Sequence, residues 1–353
     1  MTEAAETRQN QFGRIIFVTG ASRSGTTLLS RILGNHIEVL GLNELQFFGD
    51  LQDIDASVDL LDDGKLGAMA AMLLARQARD IWVDASTPEE RSVATRLVAE
   101  LPQPQRTGAG IYAATVAYMA SLAGKTMVSE QTPRNIFYAG RLLELYPQAR
   151  VVHIVRDPRG VLASQKNRWK VRKLGGKNVP IAEIIRLWFN YHPVTMSQLW
   201  RRATAAALAL ESHPRVTLVR FEDLVNNPEA TVGELSNWLG LEFNAAMLDV
   251  PQWGSSNVRH NSEPKGVSRA MLGKWQDVLS RGEIWISERM TKQQMQHFEY
   301  VPAGLPGLPI AALALHLLKY PMHVLGAAAS EPRRFLIQLK AMLRTPGKAA
   351  GHE

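Results

Sequence analysis

Two short runs constrain this chain more than anything else in it: IIFV at residues 15–18 and VVHIV at residues 151–155. Both are apolar, β-branched and almost uninterrupted. A strand with one wet face alternates apolar and polar residues, whereas a strand covered on both faces does not. These runs therefore predict central strands of a parallel sheet, and parallel neighbours need long crossovers, usually helical. They extend to strands over residues 14–19 and 150–155, and further strand-like runs lie at 37–40, 126–129 and 216–220. Helical patterns fall between them at 26–34, 141–145, 160–169 and 181–210. The alternation predicts an α/β fold with a doubly wound parallel sheet flanked by helices. Residues 45–125 read as a mostly helical insertion, with helices at 66–80 and 108–123 joined by a loop at 101–110. After Tyr300, VPAGLPGLP reads as a linker leading into two helical segments. The expected division is a main domain over residues 1–300 and a helical C-terminal extension over 301–353.

Composition narrows the chemistry. The chain has no cysteine, which excludes a disulfide scaffold, a thiol nucleophile and a thiolate metal site. No His and carboxylate pattern such as H-E-x-x-H appears, so no metal is expected. The first residues, MTEAAETRQNQFG, lack a basic stretch followed by an apolar one, so no secretory leader is expected. The longest apolar stretch, 308–329, is interrupted by His316, Lys319, Pro321 and His323 and reads as a poor spanning helix. The expectation is a cytoplasmic protein, soluble or peripheral. A net charge of +7 suits an anionic partner. With no basic zipper or zinc finger, nucleic acid is not the expected one. Residues 333–344 place Phe335, Leu336, Leu339, Met342 and Leu343 on one helical face and Arg333, Arg334, Lys340 and Arg344 on the other. Such a helix suits an anionic membrane face, here through residues 308–344 at the inner membrane; it equally suits packing on its own domain or on a second subunit of a homodimer.

The first strand runs into Thr19-Gly20-Ala21-Ser22-Arg23-Ser24-Gly25-Thr26-Thr27, and an apolar helix follows. A strand, a glycine-bearing loop and a helix together aim backbone N–H groups and the positive helix end at an anion. Gly20 and Gly25 permit the tight path, Ser24, Thr26 and Thr27 supply hydroxyls, and Arg23 supplies a cation. The spacing is that of G-x-x-x-x-G-K-[ST], with Thr26 in the place of the lysine that triphosphatases use. A second element follows strand 150–155: Arg156-Asp157-Pro158-Arg159-Gly160, with Ser164 two helical turns on. Asp157 and Pro158 suit the start of a helix, which leaves Arg156 at the strand end as a fork for phosphate beside the Ser164 hydroxyl. Open α/β sheets bind ligands at the carboxyl edge, and Arg23, Glu44, Glu130, Arg156 and Phe221 all follow strands.

The ASRSGTTLLSRIL stretch resembles the 5′-phosphosulfate loop of sulfotransferases that use 3′-phosphoadenosine-5′-phosphosulfate (PAPS), in the style of the tyrosylprotein and bacterial carbohydrate branches. The similarity covers residues 14–279. It implies that Arg23, Ser24, Gly25, Thr26 and Thr27 hold the donor's 5′ side, and that Arg156 and Ser164 hold its 3′-phosphate. It also implies that Glu44 in GLNEL is the general base, with a scaffold role pinning Arg23 as the alternative. His36 is a rival base, but it precedes its strand and so falls at the opposite edge. Phe221 stands where the family has a tyrosine near the adenine; it keeps the stacking face and loses the hydroxyl, and it equally reads as a core aromatic. Lys265 and Gly266 match a basic segment that closes over the 3′-phosphate. Gln131 replaces a lysine that assists the leaving group and cannot supply charge. The basic stretch 165–177 suits the rim of the mouth, with a solvated surface loop the favoured reading for residues 170–177. The implied function is sulfuryl transfer from PAPS, without metal, to an acceptor hydroxyl, with a saccharide or glycolipid favoured. The alternatives are a divergent P-loop nucleotide kinase or phosphotransferase, and a non-catalytic membrane-docked protein.

Overall fold

A computed structural model describes residues 14–81, 83–170, 181–251 and 266–343. Its strands are β1 (Ile15–Gly20), β2 (Val39–Gly41), β3 (Met127–Glu130), β4 (Arg150–Val155) and β5 (Val216–Arg220), all parallel in the order β2-β3-β1-β4-β5. The two uninterrupted apolar runs are β1 and β4, and they are neighbours, with Val18 opposite Val152 and Gly20 opposite Ile154. Every residue of β1 is buried. Ile15 and Phe17 point into one core with Tyr112, Tyr146 and Trp200; Ile16 and Val18 point into the other with Leu29, Ile32 and Val152. This is the period-two alternation of a strand covered on both faces. Strand order turns around at β1, so the crevice at the carboxyl edge opens between β1 and β4.

The helices before β4 are α1 (Thr26–Gly34), α2 (Asp63–Arg79), α3 (Pro88–Glu100), α4 (Gly108–Leu122) and α5 (Ala139–Leu145). After β4 come α6 (Pro158–Lys166), α7 (Ile181–Asn190), α8 (Pro193–Leu208), α9 (Phe221–Asn226), α10 (Pro228–Leu239), α11 (Trp275–Val278), α12 (Arg281–His297), α13 (Ile310–Ser330) and α14 (Pro332–Leu343). Three expectations need correction. Helix α3 was not expected; it is short of apolar residues and buries only Ala94, Leu97 and Val98, but a capping box of Thr87 and Glu90 starts it. The connection to α4 is correspondingly shorter than 101–110. The continuous helix expected over 181–210 is two helices, because Pro193 opens α8 and the His192 ring accepts the Val194 N–H at its start. The expected poor spanning helix is instead continuous through Pro321 over 21 residues, with mean hydropathy 1.3, long and apolar enough to cross a membrane by length and composition.

The extension packs on the main body. Helix α13 lies along α7 and α12, with Gly326 against the Phe189 ring and Ala312 against Gly282. Helix α14 reaches the segment Phe47–Leu51, where Arg333 donates to the Asp50 carbonyl at 2.8 Å and Ile337 rests on Gly49. Phe17 joins the aromatic cluster of the larger core from β1, 6.4 Å from Tyr112 and 6.1 Å from Tyr146 between ring centres. Phe17→Ala is expected to lower the unfolding free energy by about 3–5 kcal/mol, and Thr87→Ala, which removes the α3 cap, by about 1 kcal/mol. Urea denaturation of both variants beside the parent chain measures the difference.

Candidate active site

The loop from β1 to α1 is tightly wound. Arg23 and Gly25 both adopt left-handed backbone, with φ 79° and 107°. A side chain at Gly25 would bring its Cβ within 2.6 Å of the Phe221 ring, so only glycine fits. Gly25 also caps α1 without any side-chain hydrogen bond, so the N–H groups of the first turn depend on something else for a partner. The Ser24 hydroxyl is fully buried and has no hydrogen-bond partner. A buried orphan hydroxyl beside an uncapped helix end fits an oxyanion ligand. Thr26 is buried beneath the loop, and Thr27 donates to Gln131 Oε1 at 3.0 Å. Gln131 thus holds a loop hydroxyl in place of the charge it lacks.

The parallel pairing of β1 with β4 sets the loop against Arg156. Arg156 Nη1 donates to the Arg23 carbonyl at 3.2 Å, and Arg23 Nε donates to Ser164 Oγ at 3.2 Å. The two motifs, far apart in sequence, therefore form one continuous surface. Three guanidinium groups gather there. Burial pushes Arg23 down to about 10, and repulsion from Arg168 and Arg156 adds to the shift. Burial also lowers Arg156 and Arg168 from their ordinary values. All three stay cationic at neutral pH, in a crowded arrangement that an anion relieves.

The RDPR element divides by role. Asp157 accepts the Arg159 N–H at 2.8 Å and so caps α6. Arg159 turns away from the site, paired to Asp157 and Glu288 at 2.7 Å each and lying 4.0 Å from the Trp275 ring centre. Glu222 locks the corner, accepting the Asp157 N–H at 3.0 Å and the Tyr300 hydroxyl at 2.8 Å. Phe221 admits two readings, a stacking face or a core aromatic. Its ring is 6% exposed, wedged between Gly25 and the Arg156 guanidinium at 4.4 Å. It packs as a core aromatic that props the loop and the arginine. Gly266 donates its N–H to the Val250 carbonyl at 2.7 Å, on the Phe221 side of the sheet. Lys265 and residues 171–177 lie outside the described residues.

Glu44 lies past β2 and lines the same cleft as Gly20, Ala21 and Ser22. Gln46 Nε2 donates to Glu44 Oε1 at 2.5 Å, and Arg134 donates to Gln46 Oε1, so a relay orients the carboxylate. Burial raises the Glu44 carboxyl above its ordinary value, opposed by the Gln46 bond and by the Arg134 charge. Beneath it, at the end of β3, Glu130 is pushed up to about 7 by burial despite accepting bonds from the Leu45 N–H, Thr132 and Asn135. His36 sits at the opposite edge, its ring between the Glu242 carbonyl and the Glu38 N–H. Gln165 closes the cleft floor, donating to the Ser22 carbonyl at 3.3 Å. Among the described residues, no group of three or more His, Asp or Glu is placed to hold a metal ion.

Several lining residues carry no signal of their own in the sequence. Arg134 belongs to the E-Q-T-P-R-N run, where its position just past a strand marks it as near the edge. Gln46 and Trp200 have no such mark, whereas Arg168, whose charge acts on Arg23, belongs to the basic stretch 165–177 expected at the mouth. Gln338 reaches the cleft from α14, beyond the reach of any local motif.

Comparison with known proteins agrees with this geometry. A model described as the sulfotransferase family matches residues 15–245. Carbohydrate sulfotransferase 5 of Mus musculus is 30% identical over 144 residues, 38% of this chain and 35% of that protein. The nodulation protein NoeE of Sinorhizobium fredii is 26% identical over 240 residues, 65% of this chain and 50% of that protein. The chain thus spans between a third and a half of the length of these relatives. The sulfotransferase domain of the Synechococcus PCC 7002 olefin synthase superposes with a TM-score of 0.52 at 22% identity, covering 83% of this chain and 95% of that domain, and so shares the fold. With a family match running from β1 past α10, over a loop and an arginine pair built for an anion, the chain belongs to the sulfotransferase family.

Proposed function

We propose that the protein transfers a sulfuryl group from PAPS to an acceptor hydroxyl, with a saccharide as the acceptor class. The observation that carries this reading is the Arg156–Arg23–Ser164 chain of hydrogen bonds, which joins two phosphate-type pockets into one site. When bound, the donor supplies an activated sulfuryl group and anionic ends for both pockets. The loop N–H groups, the Ser24 hydroxyl and Arg23 receive the 5′ side; Arg156 and Ser164 receive the 3′-phosphate. Glu44, steered by Gln46, takes the proton of the acceptor hydroxyl, which is a poor nucleophile until then. Arg23 and the loop N–H groups stabilise the negative charge that builds on the leaving oxygen. The work is positioning and electrostatics. Amide and guanidinium groups at Gln46, Arg134 and Gln165 beside the apolar wall of Phe137 and Leu199 suit a polyhydroxylated acceptor, as do the carbohydrate sulfotransferases among the relatives. The nucleotide kinase reading is disfavoured because Thr26 occupies the lysine position.

Thermal unfolding with ligand tests the donor. At a hundredfold excess over its dissociation constant, adenosine 3′,5′-bisphosphate should stabilise the chain by about 2.7 kcal/mol, and Mg-ATP should do so far less. The reverse order would favour the kinase. Arg23→Ala should slow turnover of labelled PAPS at least about a hundredfold, the usual consequence of losing one donor to developing charge. Glu44 works as a carboxylate, and its raised pKa keeps it protonated to higher pH than an ordinary glutamate of 4.5. The kcat/KM profile should therefore fall as pH drops through a value above 4.5. Glu44→Gln should remove that acid limb and cost about 10²–10⁴ in rate, while leaving adenosine bisphosphate binding intact.

A further inference from the structure

We infer that the outward face of α13, continued by α14, is a docking surface for an anionic lipid bilayer, and that it brings the mouth of the Glu44 cleft to the membrane to take a lipid-linked acceptor.

Helix α13 is two-sided. Its inward stripe is Ala312, His316, Tyr320 and His323. His192 Nε2 meets the His316 carbonyl at 3.1 Å, and His323 Nδ1 meets the Phe189 carbonyl at 3.2 Å. With Ala312 on Gly282 and Gly326 on Phe189, these contacts tie the helix to the body along its length. The opposite side is apolar and bare: Ile310, Leu317, Leu318 and Leu325 are 69%, 62%, 80% and 70% exposed. Lys319 is the one charged residue in the helix. A contiguous apolar face of this extent in water marks an interaction site.

The surroundings favour a bilayer over other occupants. The length of α13 would also suit a span, but a helix held flat on its own protein by one stripe presents only the other to lipid, which is the interfacial arrangement. Trp188, half-exposed on α7, stacks 4.6 Å from the His323 ring, and indole is a side chain of the membrane–water boundary. Among the described side chains of these two helices, the charges not paired to an acid are basic: Arg333 and Lys340 on α14, and Lys319 at the His316 and His323 side of α13, whereas Glu331 is bound to Arg186 at 2.7 Å. Basic groups beside an apolar face match anionic headgroups. A second copy of the chain, docked through the same face, would set those like charges against each other. The face also runs to the active site. On α14, Leu336 and Leu339 stay exposed while Gln338 stands at the cleft and Ile337 and Arg333 hold the helix to the segment Phe47–Leu51.

The lipid-linked acceptor rests on the sulfuryl-transfer reading; the docking surface does not. The test is co-sedimentation of the full chain with vesicles of phosphatidylcholine alone and of equal parts phosphatidylcholine and phosphatidylglycerol. The chain should pellet with the anionic vesicles, weakly with the neutral ones, and be released by high salt. The triple variant Leu317→Glu, Leu318→Glu, Leu325→Glu should bind about tenfold or more weakly, with its adenosine bisphosphate thermal shift unchanged, which shows that it is folded. A chain that stays in the supernatant, or a triple variant that pellets like the parent, overturns the proposal. Pelleting that yields only to detergent overturns it in favour of a span. A dimer by light scattering that the triple variant dissolves, with no vesicle binding, overturns it in favour of a second copy. Lost docking with nucleotide binding kept leaves the proposed function standing; docking without nucleotide binding does the opposite.

Discussion

The site depends on one pairing, β1 beside β4 in parallel register. Gly20 opposite Ile154 sets the two strand ends level, and each strand then releases its loop into the same crevice. The chain between them is more than a hundred residues long, yet the distance that matters is a single hydrogen bond from Arg156 to the Arg23 carbonyl. Burial of both faces is what puts these strands at the centre, since no other position in a layered α/β fold covers two apolar faces. Phe221 then serves the same junction from β5, filling the space that Gly25 leaves and supporting Arg156 from below.

That junction concentrates positive charge, offset in part by Glu222 and Asp157 near Arg156 and by Glu183 and Glu44 near Arg168. Burying guanidinium groups near one another is unfavourable, and the downward shift of Arg23 records the cost. The carboxylates close at hand are already engaged: Asp157 caps α6 and holds Arg159, and Glu222 takes the Asp157 N–H and the Tyr300 hydroxyl. These acids therefore fix geometry at the same time as they offset charge. On the other wall the balance is opposite, with Glu44 and Glu130 close together and both raised by burial. A cationic wall and a carboxylate wall across one cleft is the electrostatic layout that a group transfer between an anionic donor and a hydroxyl requires.

The C-terminal helices extend this layout outward. Helix α14 has a side chain at the cleft and apolar side chains in solvent, so it belongs at once to the site and to the surface. Glu44 and Gln46, just past β2, thus line one cleft with a side chain from an element nearly three hundred residues later.

Strand positions, the loop, the RDPR corner and the sharing of one sheet edge were legible from residues alone. They rest on local physics: burial on both faces, left-handed glycine, helix starts at Asp-Pro. The same local rules put His36 at the far edge, where it lies. Other features depend on contacts between distant segments, which no local pattern encodes. Phe221 reads equally as a stacking face and as a core aromatic until its packing against Gly25 and Arg156 is seen. Gln46 becomes the steering group of Glu44 only because Arg134 approaches from β3's loop. The break at His192 and the start of α3 were written in Pro193 and Thr87-Pro88, but weak amphipathicity hid them. Whether the extension covers the site or stands apart was open in the sequence, because an amphipathic helix says which of its faces is apolar and not what will meet it.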